Sequence, residues 1–299
     1  MSVLEELQAA VTGVAERVGP AVVGIGSRQR GSGVVVADGR VVTNAHNLRR
    51  GEATVRFASG RTATGRVAGV DWDGDLAVVE VDTSGTTPVA WSDGAGTPSV
   101  GAAVFGAAAT PSGAPRITVG FVSSVERAFR GPGGRRIAGS IEHTAPLAPG
   151  SSGGPLLDAT GALIGINTNR VGEGFYLALP ADGTLRDRLD QLARGEAPRR
   201  PRLGIAVAPN AIATRMRRSV GLPEREGLLV RGVEDDSLAA KAGIQEGDLI
   251  VEVAGKAITE VDDLHELLGT IALPFEIKLV RGTDERTVSV GGGDATGEA

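Results

Sequence analysis

The sequence predicts a mainly β protein with two domains, and three observations support this prediction. The chain has 299 residues, which suggests about two domains. Short valine-rich runs alternate with Gly, Asp and Ser turns along most of the chain, and the 45 glycines fit an all-β protein with many tight turns. Aromatic residues make up only 3% of the sequence, so the core must consist of Val, Leu, Ile and Ala.

The composition excludes several classes of function. A formal net charge of −5 gives no indication of nucleic-acid binding. We interpret the short basic runs at residues 199–202 and 215–218 as solvated surface. The absence of cysteine excludes disulfides and thiolate metal sites, and the three histidines lack the spacing of a zinc site. We therefore expect neither a metal nor a cofactor.

Residues 1–19 are predicted to form an amphipathic helix. Apolar residues recur there at intervals of three and four, which places them on one helix face. They are Leu4, Leu7, Val11, Val14 and Val18. The segment has neither the basic leader of a signal peptide nor the apolar run of a membrane span, and no other segment approaches about 18 apolar residues. We expect a cytoplasmic protein, exported only if this chain is a truncated or processed form.

Residues 20–194 are predicted to form the first domain, built from short strands and closed by a helix. An Asp-Gly turn at residues 38–39, between two apolar runs, is a strong hairpin signal. The predicted strands begin in residues 20–36 and continue at residues 53–58, 61–70, 102–105, 117–125, 137–142, 155–157, 163–167 and 175–179, and the helix is predicted at residues 182–192.

The segment Gly-Ser-Ser-Gly-Gly-Pro at residues 150–155 is the strongest candidate for chemistry. A serine hydroxyl needs an imidazole to take its proton, a carboxylate to orient that imidazole and backbone N–H groups to hold the oxyanion. The glycines allow a tight turn in which the N–H groups of Gly150 and Ser152 converge on one point, with that of Ser151 as a further donor. Gly-Ser clusters are often only flexible turns, so Ser152 as nucleophile requires a base and a carboxylate elsewhere.

His46 and Asp75 supply this base and this carboxylate. His46 follows a run typical of a buried strand, and Asp75 is the last carboxylate before another apolar strand. Either residue alone would be interpreted as an ordinary strand-end or turn residue. Together with Ser152 they follow the order His-Asp-Ser, which is that of chymotrypsin-like proteases.

Three segments resemble the signature segments of the HtrA/Deg family of serine proteases. They are Thr-Asn-Ala-His at residues 43–46, Asp-Leu-Ala-Val at 75–78 and Gly-Ser-Ser-Gly-Gly-Pro at 150–155. Asn167 and the segment at residues 174–180 also resemble the strands that follow the nucleophile in that family. The resemblance covers nearly the whole chain and every catalytic position, so the sequence is identified as a member of this family.

The resemblance implies a fold, an activity and partners. It implies two antiparallel β-barrels with the catalytic groups in the cleft between them, and a serine endopeptidase that cleaves unfolded or damaged polypeptides. Family members are usually trimers to which the N-terminal segment contributes, so we expect a homotrimer. Packing of the predicted helix onto its own domain would explain its apolar face equally well.

Several positions depart from the family pattern. Ser151 stands where an asparagine is usual, and Thr144 and Ala148 stand where an Asp and an Asn often help to shape the site. The two residues after the predicted base are Asn47 and Leu48, where the family commonly carries β-branched residues. The triad is retained, while the geometry of the loop before the nucleophile is less determined.

The specificity pocket is predicted to be shallow and apolar, and therefore to take small aliphatic side chains. Its predicted lining is Leu147, Tyr176, Leu177 and Ala178. His143, which precedes the nucleophile by nine residues, is interpreted either as a wall of the site or as a structural residue.

A linker rich in proline and charge is predicted at residues 195–201, followed by a second domain at residues 202–290 and a disordered tail at residues 291–299. The segments at residues 202–207 and 237–250 resemble parts of a PDZ domain, which binds a C-terminal peptide as an added strand.

The PDZ resemblance implies two walls of a peptide groove. Backbone N–H groups are expected to receive the peptide carboxylate, and a helix at residues 261–268 is expected to form the other wall. The residues concerned are Leu203, Gly204 and Ile205 for the N–H groups and Leu264 and Leu268 for the helix. His265, on the same helix, is interpreted as exposed.

Two other functions compete with the protease. The departures near the nucleophile keep open a chaperone or peptide-sensing scaffold whose triad is inactive. An esterase would use the same chemistry, but the Gly-x-Ser-x-Gly elbow before a helix is absent and the chain order is not Ser-Asp-His.

Overall fold

The computed structural model describes residues 2–27, 30–49, 51–92, 98–132, 136–196 and 202–291. The chain divides into two compact units, Met1–Pro198 and Arg199–Ala299. Most of the predicted linker and nearly all of the predicted tail lie outside the described residues. The architecture is mainly β, as the sequence predicts.

Helix α1, Val3–Val18, is amphipathic as predicted. Ser2 and Glu5 form a capping box at its start. Val14 and Val18, near its end, are buried in the apolar core of the first unit. Three apolar side chains of its first two turns are exposed, namely Val3, Leu4 and Leu7. The apolar face of α1 is therefore only half covered by its own unit.

The first barrel is closed and has six strands in the order β1-β2-β3-β6-β5-β4, with antiparallel neighbours. Its interior is filled by small branched side chains such as Val34, Val41 and Val79, each with no exposed surface. Residues 20–36, where the predicted strands begin, contain two strands that pair with each other. The strands are β1 Val22–Ile25, β2 Gly31–Ala37, β3 Arg40–Thr43, β4 Glu52–Arg56, β5 Thr62–Asp71 and β6 Leu76–Glu80.

The second barrel is also closed, with the order β10-β11-β12-β9-β8-β7. The strands are β7 Ala103–Ala108, β8 Arg116–Arg130, β9 Arg136–His143, β10 Pro155–Leu157, β11 Leu163–Arg170 and β12 Tyr176–Pro180. Helix α2, Gly183–Ala193, follows the barrel, and the Asp182 carboxylate caps its start by accepting from the Leu185 N–H at 2.8 Å.

The second unit contains a single sheet in the order β13-β14-β15-β17-β18, with β16 paired to β15. Strand β13 therefore lies at an edge of the sheet. The elements are β13 Ile205–Ala208, α3 Asn210–Ser219, β14 Leu228–Val233, α4 Leu238–Lys241, β15 Leu249–Val253, β16 Lys256–Ala257, α5 Val261–Leu268, β17 Phe275–Arg281 and β18 Asp284–Val290.

One residue of the basic run at residues 215–218 is not solvated surface, contrary to our interpretation. Arg217 lies on α3 and only 3% of it is exposed. Its guanidinium donates to the main-chain oxygens of Pro223 and Gly282, both at 3.1 Å. The aliphatic part of the Arg217 side chain is buried, and main-chain carbonyl oxygens accept hydrogen bonds from its guanidinium. A run of charged residues in a sequence does not reveal this combination.

In the part of the chain that the structure describes, no helix is both long enough and apolar enough to cross a membrane.

Candidate active site

His46 lies in the 3-10 turn Ala45–Asn47, directly after β3. Its Nδ1 is 2.9 Å from both carboxylate oxygens of Asp75. The imidazole side chain is 38% exposed, so the ring is held on one edge and open to solvent elsewhere. The side-chain amide of Asn44 also donates to the main-chain oxygen of Asp75 at 2.8 Å, which joins this turn to the start of β6.

Asp75 is almost completely buried but well supplied with donors. Its side chain is 2% exposed and accepts from the His46 main-chain N–H at 3.2 Å and from the Thr168 hydroxyl at 2.6 Å. Its φ of 53° lies in the left-handed region, which aspartate tolerates better than most residues. A carboxylate so placed accepts the Nδ1 proton of His46 and leaves Nε2 as an acceptor.

Ser152 is connected to Asp75 through Thr168. The Ser152 hydroxyl donates to the main-chain oxygen of Thr168 at 2.9 Å, while the Thr168 hydroxyl donates to Asp75. Among the described residues, the Ser152 hydroxyl makes no hydrogen bond to the His46 ring. Rotation about the Cα–Cβ bond of Ser152 is therefore needed before its proton can pass to His46, an adjustment that resting active sites often require.

The loop that precedes β10 is fastened to the first barrel by Ser32. The buried hydroxyl of Ser32 donates to the Gly150 carbonyl at 2.8 Å and accepts from the Ala109 N–H at 3.1 Å. Gly153 is required here, since its φ is +88° and a Cβ would lie 2.2 Å from the Ser32 carbonyl oxygen. The loop and β2 thus approach too closely for any larger residue.

The predicted oxyanion donors occupy different environments. The Ser151 N–H donates to the Ala148 carbonyl at 3.1 Å, and the Ser151 carbonyl accepts from the Gly154 N–H at 3.0 Å. In this conformation the Ser151 N–H is thus hydrogen-bonded within its own turn, contrary to its predicted role as a further oxyanion donor. Gly150, whose φ is +86°, and Ser152 remain the two predicted donors.

The residues predicted to line the specificity pocket are mostly buried. Leu177 and Ala178 have no exposed surface, and Ala178 packs in the interior of the second barrel. Leu147 is half-buried in the loop before the nucleophile, and Tyr176 is 9% exposed. Leu177 and Ala178 are therefore both closed to solvent in this conformation, and the specificity pocket stays a prediction.

His143 is a buried structural residue that contacts Asn167 and Tyr176. It is fully buried, it stacks on Tyr176 with ring centroids 5.9 Å apart, and its Nε2 is 3.0 Å from the Asn167 Oδ1. The Asn167 amide nitrogen donates to the Pro155 carbonyl at 3.0 Å, so Oδ1 is an acceptor and His143 donates from Nε2. Its Nδ1 has no partner among the described residues.

Burial lowers the pKa of His143 from its usual 6.5 to about 4, and the bond to Asn167 opposes this shift only in part. As the pH falls from about 6.5 to about 4, the unfolded chain binds a proton that the folded chain does not, so stability is lost across this window. Between pH 7 and pH 4 the parent is expected to lose about 3 kcal/mol of unfolding free energy more than His143→Gln does. Urea unfolding at both pH values measures this difference, and equal losses would show that His143 does not stay neutral in the fold.

The second unit places its predicted carboxylate-binding residues at the start of the edge strand. Ile205 begins β13, and Gly204 before it has a φ of +73°, with space so restricted that a Cβ would lie 2.4 Å from the Ser237 Cβ. The main-chain oxygen of Leu203 accepts from the Ala239 N–H at 2.9 Å, which ties this segment to α4.

The predicted helical wall is less open than expected. Leu264 and Leu268 lie on α5 as predicted, but they are only 2% and 8% exposed and pack in the core of the second unit. The two leucines therefore serve chiefly as core residues, and a groove at this place stays a prediction.

Sequence reasoning missed Ser32, Thr168 and the contact of Asn47 with Ser152, the predicted nucleophile. Ser32 stands between two glycines in Gly-Ser-Gly, and Thr168 follows Asn167 at the end of a predicted strand. Their roles depend on partners far away in the chain, so these local contexts contained no signal for them.

Two family models match the chain. Residues 31–166 match the trypsin-like peptidase domain, and residues 229–281 match the PDZ domain.

Curated relatives agree with these matches. The chain is 30% identical over 277 residues to a probable periplasmic serine endoprotease DegP-like of Halomonas elongata, covering 89% of this chain and 57% of that protein. It is 33% identical over 284 residues to the chloroplastic Protease Do-like 1 of Arabidopsis thaliana, covering 87% of this chain and 62% of that protein. The chain thus spans about three fifths of the length of these relatives.

Solved structures share the fold. The serine endoprotease from Yersinia pestis superposes with a TM-score of 0.66 at 25% identity, over 94% of this chain and 96% of that chain. The HtrA-type protease AlgW with decapeptide gives a TM-score of 0.70 at 22% identity, over 94% of this chain and 97% of that chain.

Proposed function

Because the chain belongs to the HtrA/Deg family of serine proteases, we propose that it is a serine endopeptidase with Ser152 as nucleophile, His46 as base and Asp75 as its orienting carboxylate. One observation carries the proposal. The Asp75 carboxylate holds Nδ1 of the His46 ring at 2.9 Å, and Thr168 joins the same carboxylate to the Ser152 hydroxyl.

In the first half of the reaction Ser152 is acylated. Its hydroxyl leaves the Thr168 carbonyl and turns to Nε2 of His46, which takes the proton as Oγ bonds to the scissile carbonyl carbon. Asp75 stabilises the imidazolium that results. The carbon–nitrogen bond then breaks, and the leaving amine receives the proton from Nε2.

In the second half of the reaction a water molecule acts as the nucleophile and removes the acyl group from Ser152. His46 removes a proton from the water, the hydroxide adds to the acyl carbon, and Ser152 leaves with the proton returned from Nε2. In both halves the N–H groups of Gly150 and Ser152 are proposed to hold the oxyanion. Loss of one such donor typically costs about 10²–10³ in rate.

The substrates that we propose are unfolded or damaged polypeptides, with C-terminal peptides bound at the second unit. The edge position of β13 supports this, because an extended peptide can add there as a further strand. The N–H groups of Leu203, Gly204 and Ile205 precede or begin this edge and are the proposed carboxylate donors.

Assembly and location are part of the same proposal. The exposed Val3, Leu4 and Leu7 of α1 support the expected homotrimer, because this apolar surface is left uncovered by its own unit. The similar proteins carry periplasmic and chloroplastic names. The cytoplasmic location stays a prediction.

Covalent labelling tests the activity directly. A fluorophosphonate probe is expected to label the folded chain once, on the proteolytic fragment that contains Ser152, and the same protein is expected to cleave casein. Addition of a peptide with a hydrophobic C-terminus is expected to change the rate if the second unit regulates the first. A folded protein that takes no label and leaves casein intact, with and without peptide, would favour the peptide-sensing scaffold.

A further inference from the structure

Asn47 follows the base, and its side chain reaches the residue that carries the nucleophile. It ends the 3-10 turn that contains His46, and only 3% of it is exposed. Its amide nitrogen donates to the main-chain oxygen of Ser152 at 2.8 Å and to the Thr43 hydroxyl at 3.0 Å. One side chain thus connects the turn of the base with the nucleophile.

The orientation of the Asn47 amide follows from its partners. The Thr43 hydroxyl donates its proton to the Ser32 carbonyl at 2.7 Å, so its oxygen accepts from Asn47. The main-chain oxygen of Ser152 can only accept. Both partners therefore require the nitrogen of the amide at this place rather than its oxygen.

The amide occupies a close-fitting position against two glycines. A Cβ on Gly31 would lie 2.2 Å from three atoms of the Asn47 amide. A Cβ on Gly153 would lie 3.0 Å from the amide nitrogen. The main chain at these two glycines thus leaves space for the Asn47 amide but not for a larger side chain.

The peptide group between Ser152 and Gly153 is held from both barrels. Its oxygen accepts from Asn47 and from the Ser32 main-chain N–H at 2.8 Å, which belong to the first barrel. Its N–H donates to the main-chain oxygen of Asn167 on β11 of the second barrel at 2.7 Å. The position of the nucleophile relative to the base therefore depends on these three bonds.

We propose that Asn47 is a positioning residue, which sets the distance and angle between the His46 ring and the Ser152 hydroxyl through the Ser152 carbonyl. The inference rests on the proposed function. A displacement of about 1 Å between reacting groups costs about 10²-fold in rate, and Asn47 shares its task with the Ser32 N–H, so its loss is expected to cost about tenfold. The loss falls on kcat rather than on KM, because the amide is buried beneath the loop.

Two variants of Asn47 separate the hydrogen bond from the space that the side chain fills. Asn47→Leu keeps the number and branching of the heavy atoms and removes the donor, whereas Asn47→Asp keeps the shape and places a carboxylate oxygen against the Ser152 carbonyl oxygen. Both are expected to lower the rate constant of fluorophosphonate labelling about tenfold, with Asp the slower, while the fraction labelled at saturation stays that of the parent. With a fluorogenic casein-derived peptide, kcat falls and KM is unchanged.

The control is Asn210→Leu in the second unit, which removes an amide that accepts from the Gly227 N–H at 3.2 Å and should label at the parent rate. A lower labelled fraction with an unchanged rate constant would mean that Asn47 only stabilises the fold, and this would overturn the proposal. If the parent is labelled and the Asn47 variants match it in both rate constant and labelled fraction, the positioning role of Asn47 is overturned while the proposed function stands. A folded parent that takes no label would overturn the proposed function and the role of Asn47 with it.

Discussion

Replacing Ser152 with alanine is expected to lower kcat for casein cleavage by about 10⁶, because no hydroxyl is left to form the acyl intermediate. The fold should survive the change. Among the described residues the hydroxyl donates to the Thr168 carbonyl, whereas the loop is held to the two barrels through main-chain atoms of Gly150, Ser152 and Gly153. The rate of casein cleavage and the midpoint of thermal unfolding, measured on both proteins, check the two parts of this prediction.

A matched control for Ser152→Ala lies in the same unit. The Ser123 hydroxyl donates to the Glu142 carboxylate at 2.9 Å on the second barrel, outside the proposed site. Ser123→Ala removes the same oxygen and should cleave casein at nearly the parent rate. If Ser152→Ala is as active as this control, the nucleophile lies elsewhere in the chain.

The candidate site could be located from sequence because strong local patterns place its members at strand ends. His46 follows β3, Asp75 precedes β6 and Ser152 precedes β10. Only three histidines compete for the role of base, so the order of the motifs had few alternatives. The alternation of valine runs with turns predicted the β class for the same reason, since turn residues and branched side chains act over short distances.

The contacts that hold the site together could not be predicted in this way. Ser32 and Gly150 are 118 positions apart, and Asp75 and Thr168 are 93 positions apart. Hydrogen bonds over such separations depend on how two barrels fold, and they leave no periodicity in the sequence. The sequence analysis noted Asn47 only as a departure from the family pattern, because its partner, the Ser152 carbonyl, belongs to the main chain and has no sequence signal.

The burial of single side chains also could not be predicted from the sequence. Leu264 and Leu268 have the helical spacing of an apolar face, and that spacing is the same whether the face lines a groove or fills a core. Ala178 was predicted in a pocket because it belongs to the strand expected at residues 175–179, whereas it packs in a buried cluster of the second barrel. Only the three-dimensional arrangement distinguishes these outcomes.

Asp75→Asn is expected to lower kcat by about 10⁴ at neutral pH with little change in KM, because it reverses the tautomer of His46. The His46 main-chain N–H can only donate and lies 3.2 Å from Oδ1, so the asparagine keeps its oxygen there. Its nitrogen takes the place of Oδ2, where the Thr168 hydroxyl, which donates at 2.6 Å in the parent, can turn and accept instead. Nδ1 of the ring is 2.9 Å from both places. The amide then donates to Nδ1, the ring proton moves to Nε2, and the ring cannot accept the proton of Ser152.

Asparagine is the appropriate replacement because it also tolerates the left-handed backbone at this position, where φ is 53°. Asp73→Asn removes an equal charge from the same turn and leaves the partner of the ring in place, so it serves as the control. Casein cleavage by the three proteins at neutral pH gives the comparison. Equal losses in both variants would mean that the charge of the turn governs the rate, whereas a loss confined to Asp75→Asn assigns the effect to the proton on the His46 ring.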